Sequence, residues 1–149
     1  MRIAISADHR GRGIAEQIGR MLAQLGHEVL NWWPGEGEKC DYPDAAARVG
    51  KAVASGEADQ GILVCGTGIG MSIAANKIAG VRAALVHDEL TAGLARSHND
   101  ANVLCLSGDL LGERKVSAIV EKWLKTEFEG GRHQRRVEKI AELERGEPG

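Results

Sequence analysis

The chain has 149 residues, of which 43% are hydrophobic and 27% are charged, and its formal net charge is -2. These values are typical of a globular protein, and the length suits one domain that spans residues 1–149. The slightly negative charge argues against a general nucleic-acid binder and against a protein held on an anionic membrane. A small molecule is therefore the expected ligand.

The cysteine content predicts the compartment. Cys40, Cys65 and Cys105 are an odd number and lack the spacing of a metal site. The chain opens on a strand-like segment instead of a signal peptide, and no apolar run approaches the roughly twenty residues of a membrane span. We therefore expect a cytoplasmic protein in a reducing environment.

Strand-like and helical segments alternate along the chain. In chain order they are strand 2–6, helix 14–25, strand 27–30, loop 31–41, helix 43–55, strand 60–64, helix 71–78, strand 81–86, helix 88–97, strand 102–106 and helix 113–126. Several strands are continuous apolar runs, which indicates a parallel sheet buried between helix layers. The predicted fold is an α/β, three-layer α/β/α sandwich with a five-stranded parallel sheet of the Rossmann-like or flavodoxin-like kind.

The segment 130–149 predicts a C-terminal helical extension. Gly130 and Gly131 form a hinge, and Arg132 and Arg136 then stand one helical turn apart. If the helix begins by Arg132, both guanidinium groups point the same way and can clamp a phosphate. A solvated basic face is the alternative interpretation. The extension also makes dimerisation plausible, because it can embrace a second copy of the chain.

Polar residues concentrate where the predicted strands end. Ligands of parallel sheets bind beyond the carboxyl ends of the strands. Those ends carry 7–9, 65–70, 87–88 and 107–109, and we expect them to share one rim of the sheet. We assign 98–100 to that rim as well.

The sequence from Cys65 to Gly70, Cys-Gly-Thr-Gly-Ile-Gly, lies between an apolar strand and a helix. Its glycines let backbone N–H groups approach a ligand, and a helix N-terminus attracts negative charge and favours a thiolate. A base beside an anion cradle is what proton abstraction next to a carbonyl requires. An inert buried thiol is the alternative for Cys65, and Cys105, within an apolar strand, is expected in the core.

Two other interpretations are weaker. The glycine run with Asp88 is close to a dinucleotide fingerprint, but the third glycine of that pattern would fall on Met71, and the motif follows the third strand instead of the first. His27 and His87 lack paired metal-ligand spacing, so no metal site is assigned.

Taken together, the motifs resemble those of the ribose-5-phosphate isomerase B family, from Met1 to about Leu143. The matching segments are Ala7-Asp8-His9-Arg10-Gly11, Asp41-Tyr42-Pro43, Cys65 to Gly70, Ala74-Ala75-Asn76-Lys77, His98-Asn99-Asp100 and Gly130 to Arg136. The family also contains galactose-6-phosphate and allose-6-phosphate isomerases. The resemblance implies an aldose–ketose isomerase that works through an enediolate, with no metal or organic cofactor.

The resemblance also implies roles for individual residues. Cys65 would move a proton between C1 and C2, and His98 with Asp8 would open the furanose ring. The enediolate oxygen would be held by Thr67 and by the loop backbone at Gly66, Gly68, Ile69 and Gly70. The remaining substrate contacts would come from His9, Arg132 and Arg136 for the phosphate and from Tyr42 and Asn99 for the sugar. In relatives the region of His98 and Asn99 comes from the neighbouring subunit, which implies a homodimer or a dimer of dimers with the site at the subunit interface.

Asp109 departs from the family pattern, which usually has an arginine there that reaches the phosphate. Three explanations stay open: Arg10, Arg12 or Arg114 compensates, or Asp109 turns outward, or the far end of the substrate differs from that of ribose 5-phosphate.

The leading hypothesis is interconversion of ribose 5-phosphate and ribulose 5-phosphate by general acid–base catalysis. Because of Asp109 and the unusual loop with Trp32 and Trp33, another substrate stays open: allose 6-phosphate, galactose 6-phosphate or a tetrose phosphate. A non-catalytic sugar-phosphate-binding module is the alternative from a different class.

Overall fold

The computed structural model describes residues 1–146. Its strands are β1 (Arg2–Ala7), β2 (Glu28–Asn31), β3 (Gln60–Cys65), β4 (Ala83–Leu85) and β5 (Val103–Ser107). Its helices are α1 (Arg12–Gln24), α2 (Tyr42–Ser55), α3 (Ile69–Ala75), α4 (Glu89–Asn99), α5 (Glu113–Lys125) and α6 (Arg132–Glu144). None of these helices is both long and apolar enough to cross a membrane.

The five strands form one parallel sheet in the order β2-β1-β3-β5-β4. Alternate strand residues face opposite sides of the sheet, so Ile3 and Ile5 pack under α1, α4 and α5, whereas Ala4 and Leu63 pack under α2 and α3. The predicted three-layer α/β/α sandwich is confirmed. All six residues of β3 are buried, which fits its position in the middle of the sheet.

Helix α2 packs very closely on β3, and a glycine makes this possible. A Cβ on Gly61 would lie 2.5 Å from Cγ1 of Val49, so no larger side chain fits between helix and strand. This close contact helps bring the first residue of α2, Tyr42, to the end of β3.

Three neighbouring strand ends are bonded to one another at the carboxyl edge of the sheet. The N–H of Asp8, after β1, donates to the carbonyl of Val64 at 3.2 Å. The N–H of Gly108, after β5, donates to the carbonyl of Cys65 at 2.8 Å. The segments that follow β1, β3 and β5 therefore meet on one rim, as predicted.

Some element bounds differ from the predictions. Helix α3 begins at Ile69, inside the glycine-rich segment, and β4 has only three residues. The last helix begins at Arg132, directly after Gly131, whose φ of 58° favours glycine. The end of the predicted extension, 147–149, lies outside the described residues.

Candidate active site

Cys65 is the last residue of β3, and the residue is only 4% exposed. The chain then turns back over it, and the N–H of Gly68 donates to Sγ of Cys65 at 3.1 Å. Gly68 has φ 80°, and a Cβ there would lie 2.6 Å from Cδ1 of Leu85. Only glycine fits this turn, so the loop and its contact with the sulfur depend on Gly68.

The outer side of the loop carries Thr67 and Ile69, both exposed. The N–H of Ile69 donates to the Thr67 hydroxyl oxygen at 3.2 Å, which leaves the hydroxyl proton available to a ligand. The backbone around this loop can therefore surround a small anion next to the thiol.

Asp8 holds the turn that follows β1. Its carboxylate accepts the N–H groups of Arg10 at 3.0 Å and Gly11 at 2.9 Å, and the residue is 7% exposed. A Cβ on Gly11 would lie 2.3 Å from the carbonyl oxygen of Val64, so this turn rests directly on β3. His9, at the exposed tip, thereby stands at the same rim as Cys65.

Tyr42 covers the end of the glycine-rich segment. A Cβ on Gly70 would lie 2.5 Å from the Tyr42 ring, and the Tyr42 residue is still 42% exposed. Its ring therefore forms a wall of the site while remaining accessible to a ligand.

The three thiols differ in environment. Cys105 is completely buried, which confirms the prediction that it belongs to the core, and this burial raises its pKa far above the ordinary value. Cys40 is half-buried, and partial burial together with the Asp44 carboxylate raises its pKa. Cys65 is the thiol that accepts a backbone N–H at the rim.

Asp109 is exposed, but its side chain points toward the glycine-rich loop and forms an ion pair with Arg10. The Asp109 N–H also donates to the carbonyl of Gly66 at 3.1 Å. Of the other candidates, Arg12 is bonded to Glu16 one turn along α1, and Arg114 is exposed at the start of α5. The explanation in which Asp109 points outward is therefore wrong, and Arg10 is the arginine that accompanies it.

His98 and Asn99 lie at the opposite edge of the sheet, so their assignment to the carboxyl rim is wrong. Helix α4 runs antiparallel to the strands and ends at the amino edge, where Arg82 donates through Nε to the Asn99 carbonyl at 3.2 Å. Asn102, just before β5, accepts the Gly61 N–H at 2.9 Å through its carbonyl. A strand of five or six residues, roughly 15 to 20 Å, separates this edge from Cys65.

His98 belongs to a second cluster with His133 and Glu129. The two imidazole rings stack with centroids 4.1 Å apart and planes inclined by 12°. Oε2 of Glu129 lies 3.5 Å from Nε2 of His133 and 4.0 Å from Nε2 of His98. Burial, and then the positive potential of His98 and Arg132, lowers the pKa of His133, which favours its neutral form.

Three possible metal ligands thus lie within 4.8 Å of one another in this cluster. Imidazole lone pairs lie in the ring plane, and the planes of His98 and His133 are nearly parallel. An ion at the usual distance of about 2.1 Å from both nitrogens would lie in neither plane. The stacked arrangement therefore suits a histidine pair with a shared carboxylate better than a metal centre.

Arg132 and Arg136 are both exposed on the first turns of α6, whereas His133 and Val137 face inward. The predicted one-turn spacing of the two guanidinium groups is present, and they flank the His98 cluster instead of the Cys65 loop. The sequence reasoning missed His133 and Glu129. The i,i+4 pair of His133 and Val137 is the signal that could have assigned His133 to the inner face.

Two further residues have structural partners. Asp88 caps α4, where its carboxylate accepts the N–H of Thr91 at 2.7 Å, so it is occupied as a helix cap. The unusual tryptophans pack on different helices. Trp32 lies under the Arg48 guanidinium, 3.9 Å from the ring centroid, and Trp33 packs against Gly19 of α1.

A buried thiol that accepts a backbone N–H, on the carboxyl rim of a parallel α/β sheet, is an arrangement suited to proton transfer next to a carbonyl. A model of the family described as Ribose/Galactose Isomerase matches residues 3–140, and the chain belongs to this family.

Individual relatives agree with this assignment over nearly the whole chain. Ribose-5-phosphate isomerase B of Escherichia coli (strain K12) is 46% identical over 143 residues, with 96% of each chain covered. The structure of ribose-5-phosphate isomerase B of Clostridium thermocellum has a TM-score of 0.96 at 46% identity and covers 98% of this chain and 99% of that one. The Mycoplasma genitalium enzyme with bound ribulose-5-phosphate has a TM-score of 0.93 at 44% identity, with 97% and 96% covered.

Proposed function

We propose that this protein is an aldose–ketose isomerase that interconverts ribose 5-phosphate and ribulose 5-phosphate. The observation that carries the proposal is the hydrogen bond from the Gly68 N–H to the Cys65 sulfur at 3.1 Å, which fixes the sulfur beside the backbone N–H groups of the loop at the rim. Similarity to proteins named ribose-5-phosphate isomerase B, one of them with ribulose-5-phosphate bound, supports this choice of sugar.

Cys65 acts as the base in this mechanism. Its thiolate takes the proton from C2 of the open-chain aldose, the C–H electrons form the C1–C2 double bond, and the carbonyl electrons move to O1. O1 gains a proton as O2 loses one. The same sulfur then returns its proton to C1, and C2 becomes the ketone carbon.

The glycine-rich loop stabilises the enediolate between these two steps. The loop residues Gly66, Gly68, Ile69 and Gly70 surround the developing charge with backbone N–H groups, and the Thr67 hydroxyl donates to the substrate oxygens O1 and O2. In the free protein the N–H groups of Gly68 and Ile69 are bonded to the Cys65 sulfur and the Thr67 hydroxyl, so they are shared with the enediolate when it forms. Removing one such donor typically lowers kcat about 100- to 1000-fold. The shape of this loop therefore matters nearly as much as the thiol.

The ring-opening and phosphate-binding groups complete the site. His98 with Asp8 opens the furanose ring, since a histidine can move a proton between the ring oxygen and the O1 hydroxyl near neutral pH. The remaining contacts come from His9, Arg132 and Arg136 to the phosphate and from Tyr42 and Asn99 to the sugar.

A second copy of the chain brings the two halves together. Within one chain, His98 and Cys65 lie at opposite edges of the sheet, so they meet only if one subunit supplies each. Exposed apolar side chains at i,i+4 spacing on α3 and α4 support such an interface: Ile69 (52%), Ile73 (60%), Leu90 (69%) and Leu94 (39%). We therefore propose a homodimer, alone or within a dimer of dimers, with the site between subunits, in a reducing compartment such as the cytoplasm.

The proposal is tested by incubating the pure protein with ribose 5-phosphate in D2O and following ketose and deuterium at C1 and C2 by NMR. We expect ketose formation with solvent deuterium incorporation, lost in Cys65→Ala and retained in Cys40→Ala, the matched control thiol. No conversion of ribose 5-phosphate, with conversion of a four- or six-carbon sugar phosphate, would change the substrate. Binding without proton exchange across that panel would instead indicate a binding module.

A further inference from the structure

Arg10 and Asp109 form their ion pair across the backbone of Gly66. Arg10 follows β1 and Asp109 follows β5, the two strands on either side of β3. A Cβ on Gly66 would lie 3.2 Å from Nε of Arg10 and 3.0 Å from Oδ2 of Asp109. The pair therefore lies directly on the residue that follows Cys65.

Both members of the pair are held in place by their backbones. The Arg10 N–H donates to the Asp8 carboxylate at 3.0 Å, and the Asp109 N–H donates to the Gly66 carbonyl at 3.1 Å. The side chains are nevertheless 60% and 36% exposed. An exposed ion pair contributes little to stability, so stabilisation of the fold is a weak reason to fix a guanidinium at this position.

The ion pair with Asp109 uses one nitrogen of the Arg10 guanidinium and leaves other N–H donors for a ligand. The guanidinium carries five N–H groups in a planar fork that matches a phosphate, and Nη2 is the nitrogen bonded to Asp109. Arg12 is bonded to Glu16 on α1, and Arg132 and Arg136 belong to α6. Arg10, by contrast, is held against the Cys65 loop of its own chain.

The depth of the site indicates which end of a substrate Arg10 meets. The sulfur-bearing residue Cys65 is 4% exposed, so the reacting carbons must enter deepest. A phosphate dianion is costly to bury without partners, and it stays at the exposed rim, where Arg10 stands.

We propose that Arg10 is a substrate-binding residue that contacts the phosphate group of the sugar phosphate. This inference rests on the proposed function for the class of substrate, but not on which sugar carries the phosphate. Asp109 fixes the guanidinium over Gly66 and occupies one part of the fork, leaving the remainder for the phosphate oxygens.

The test compares four variants with the wild type: Arg10→Ala, Arg10→Lys, the double variant Arg10→Ala with Asp109→Arg, and Arg114→Ala as a control arginine at the start of α5. Two quantities are measured: kcat and KM with ribose 5-phosphate, and the dissociation constant of inorganic phosphate by calorimetry, which needs no turnover. Circular dichroism checks that each variant is folded.

We expect Arg10→Ala to raise both KM and the phosphate dissociation constant about 10- to 100-fold, the usual effect of losing a hydrogen bond to a charged group. Arg10→Lys should recover part of the loss, because it restores charge without the fork. The double variant should also recover phosphate binding, because the Asp109→Arg substitution supplies a guanidinium from the other side of Gly66. Arg114→Ala should leave both quantities unchanged.

Unchanged phosphate binding in Arg10→Ala would overturn the inference. An equal loss of phosphate binding in Arg114→Ala would also overturn it, because phosphate would then respond to the overall positive charge of the rim and not to Arg10 in particular. A wild type that binds phosphate through Arg10 but turns over no ribose 5-phosphate would refute the proposed function while supporting the phosphate contact. The two ideas therefore fail separately.

Discussion

The N–H of Gly68 points at the sulfur of Cys65, three residues earlier in the same loop, and donates to it at 3.1 Å. This bond exists because Gly68 adopts φ 80° in a space bounded by Leu85 and Leu106, where a Cβ would lie 2.6 Å and 3.0 Å from its nearest neighbours. The geometry of the thiol thus depends on a residue with no side chain.

Gly68→Ala should therefore lower kcat about 100-fold or more, because the loop must move and its N–H groups then no longer point at the sulfur and the enediolate. Gly80→Ala is the matched control: Gly80 also has positive φ, 89°, but the nearest atom to its Cβ would be 3.6 Å away. Both substitutions carry a backbone cost of about 1–2 kcal/mol, measured by urea unfolding. Near-normal kcat in a folded Gly68→Ala variant would contradict the role of this loop.

Two inactive variants should restore activity when their subunits mix. Cys65→Ala keeps His98, and His98→Ala keeps Cys65, so a hybrid dimer has one site with both residues. Random assortment then gives about one quarter of wild-type activity if each site is shared between two subunits. Steady-state assays on coexpressed chains, with hybrid formation checked by mass spectrometry, provide the measurement.

The control for this mixing experiment is Cys65→Ala paired with a chain that carries both substitutions, which offers no complete site and should stay inactive. Hybrid dimers without any recovered activity would mean that each chain completes its own site, and the shared arrangement would be wrong.

The environment of His133 predicts a pH dependence of stability. Burial, His98, Arg132 and Arg136 lower its pKa below 6.5, against the opposing effect of the Glu129 carboxylate. Between that lowered pKa and 6.5 the unfolded chain binds the proton and the folded chain does not. The free energy of unfolding therefore falls as the pH drops through this window and is recovered above it.

His133→Phe keeps a ring against His98 and removes the titration, so it should flatten this slope in urea unfolding followed from pH 7.5 to about pH 5.5. His87→Gln, at an exposed position, serves as the control and should keep the wild-type slope. An unchanged slope in His133→Phe would show that other groups cause the acid sensitivity.

The order of the elements and the position of the glycine-rich loop could be predicted from the sequence, because both are encoded locally. Apolar strands such as 60–64 and the glycines after Cys65 carry their own conformational signal. The sequence predicts a helix from 71, but α3 begins at Ile69, since the backbone of the loop already turns into the helix there.

The rim position predicted for His98 and Asn99 is wrong, and the topology of the chain is the signal that could have corrected it. Both residues end α4, which begins at the carboxyl rim, and a helix in a parallel βαβ unit ends at the other edge of the sheet. The pair of Arg10 and Asp109 joins residues far apart in the chain, and the stacking of His98 on His133 depends on how α6 docks against α4. Such contacts depend on tertiary packing, which the spacing of residues in the chain does not encode.

The glycine-rich loop after β3 and the exposed rim around it differ in how many amino-acid substitutions they tolerate. Gly68 has a positive φ and would place a Cβ 2.6 Å from Leu85 and 3.0 Å from the Leu106 backbone, so a larger residue there disturbs the loop that holds the thiol. Arg10 and Asp109 are partly exposed, and surface exchanges usually alter stability by about 0.5 kcal/mol or less. One proton-transfer centre can thus be kept while the rim is exchanged, which gives such a fold a route to new sugars without a new reaction.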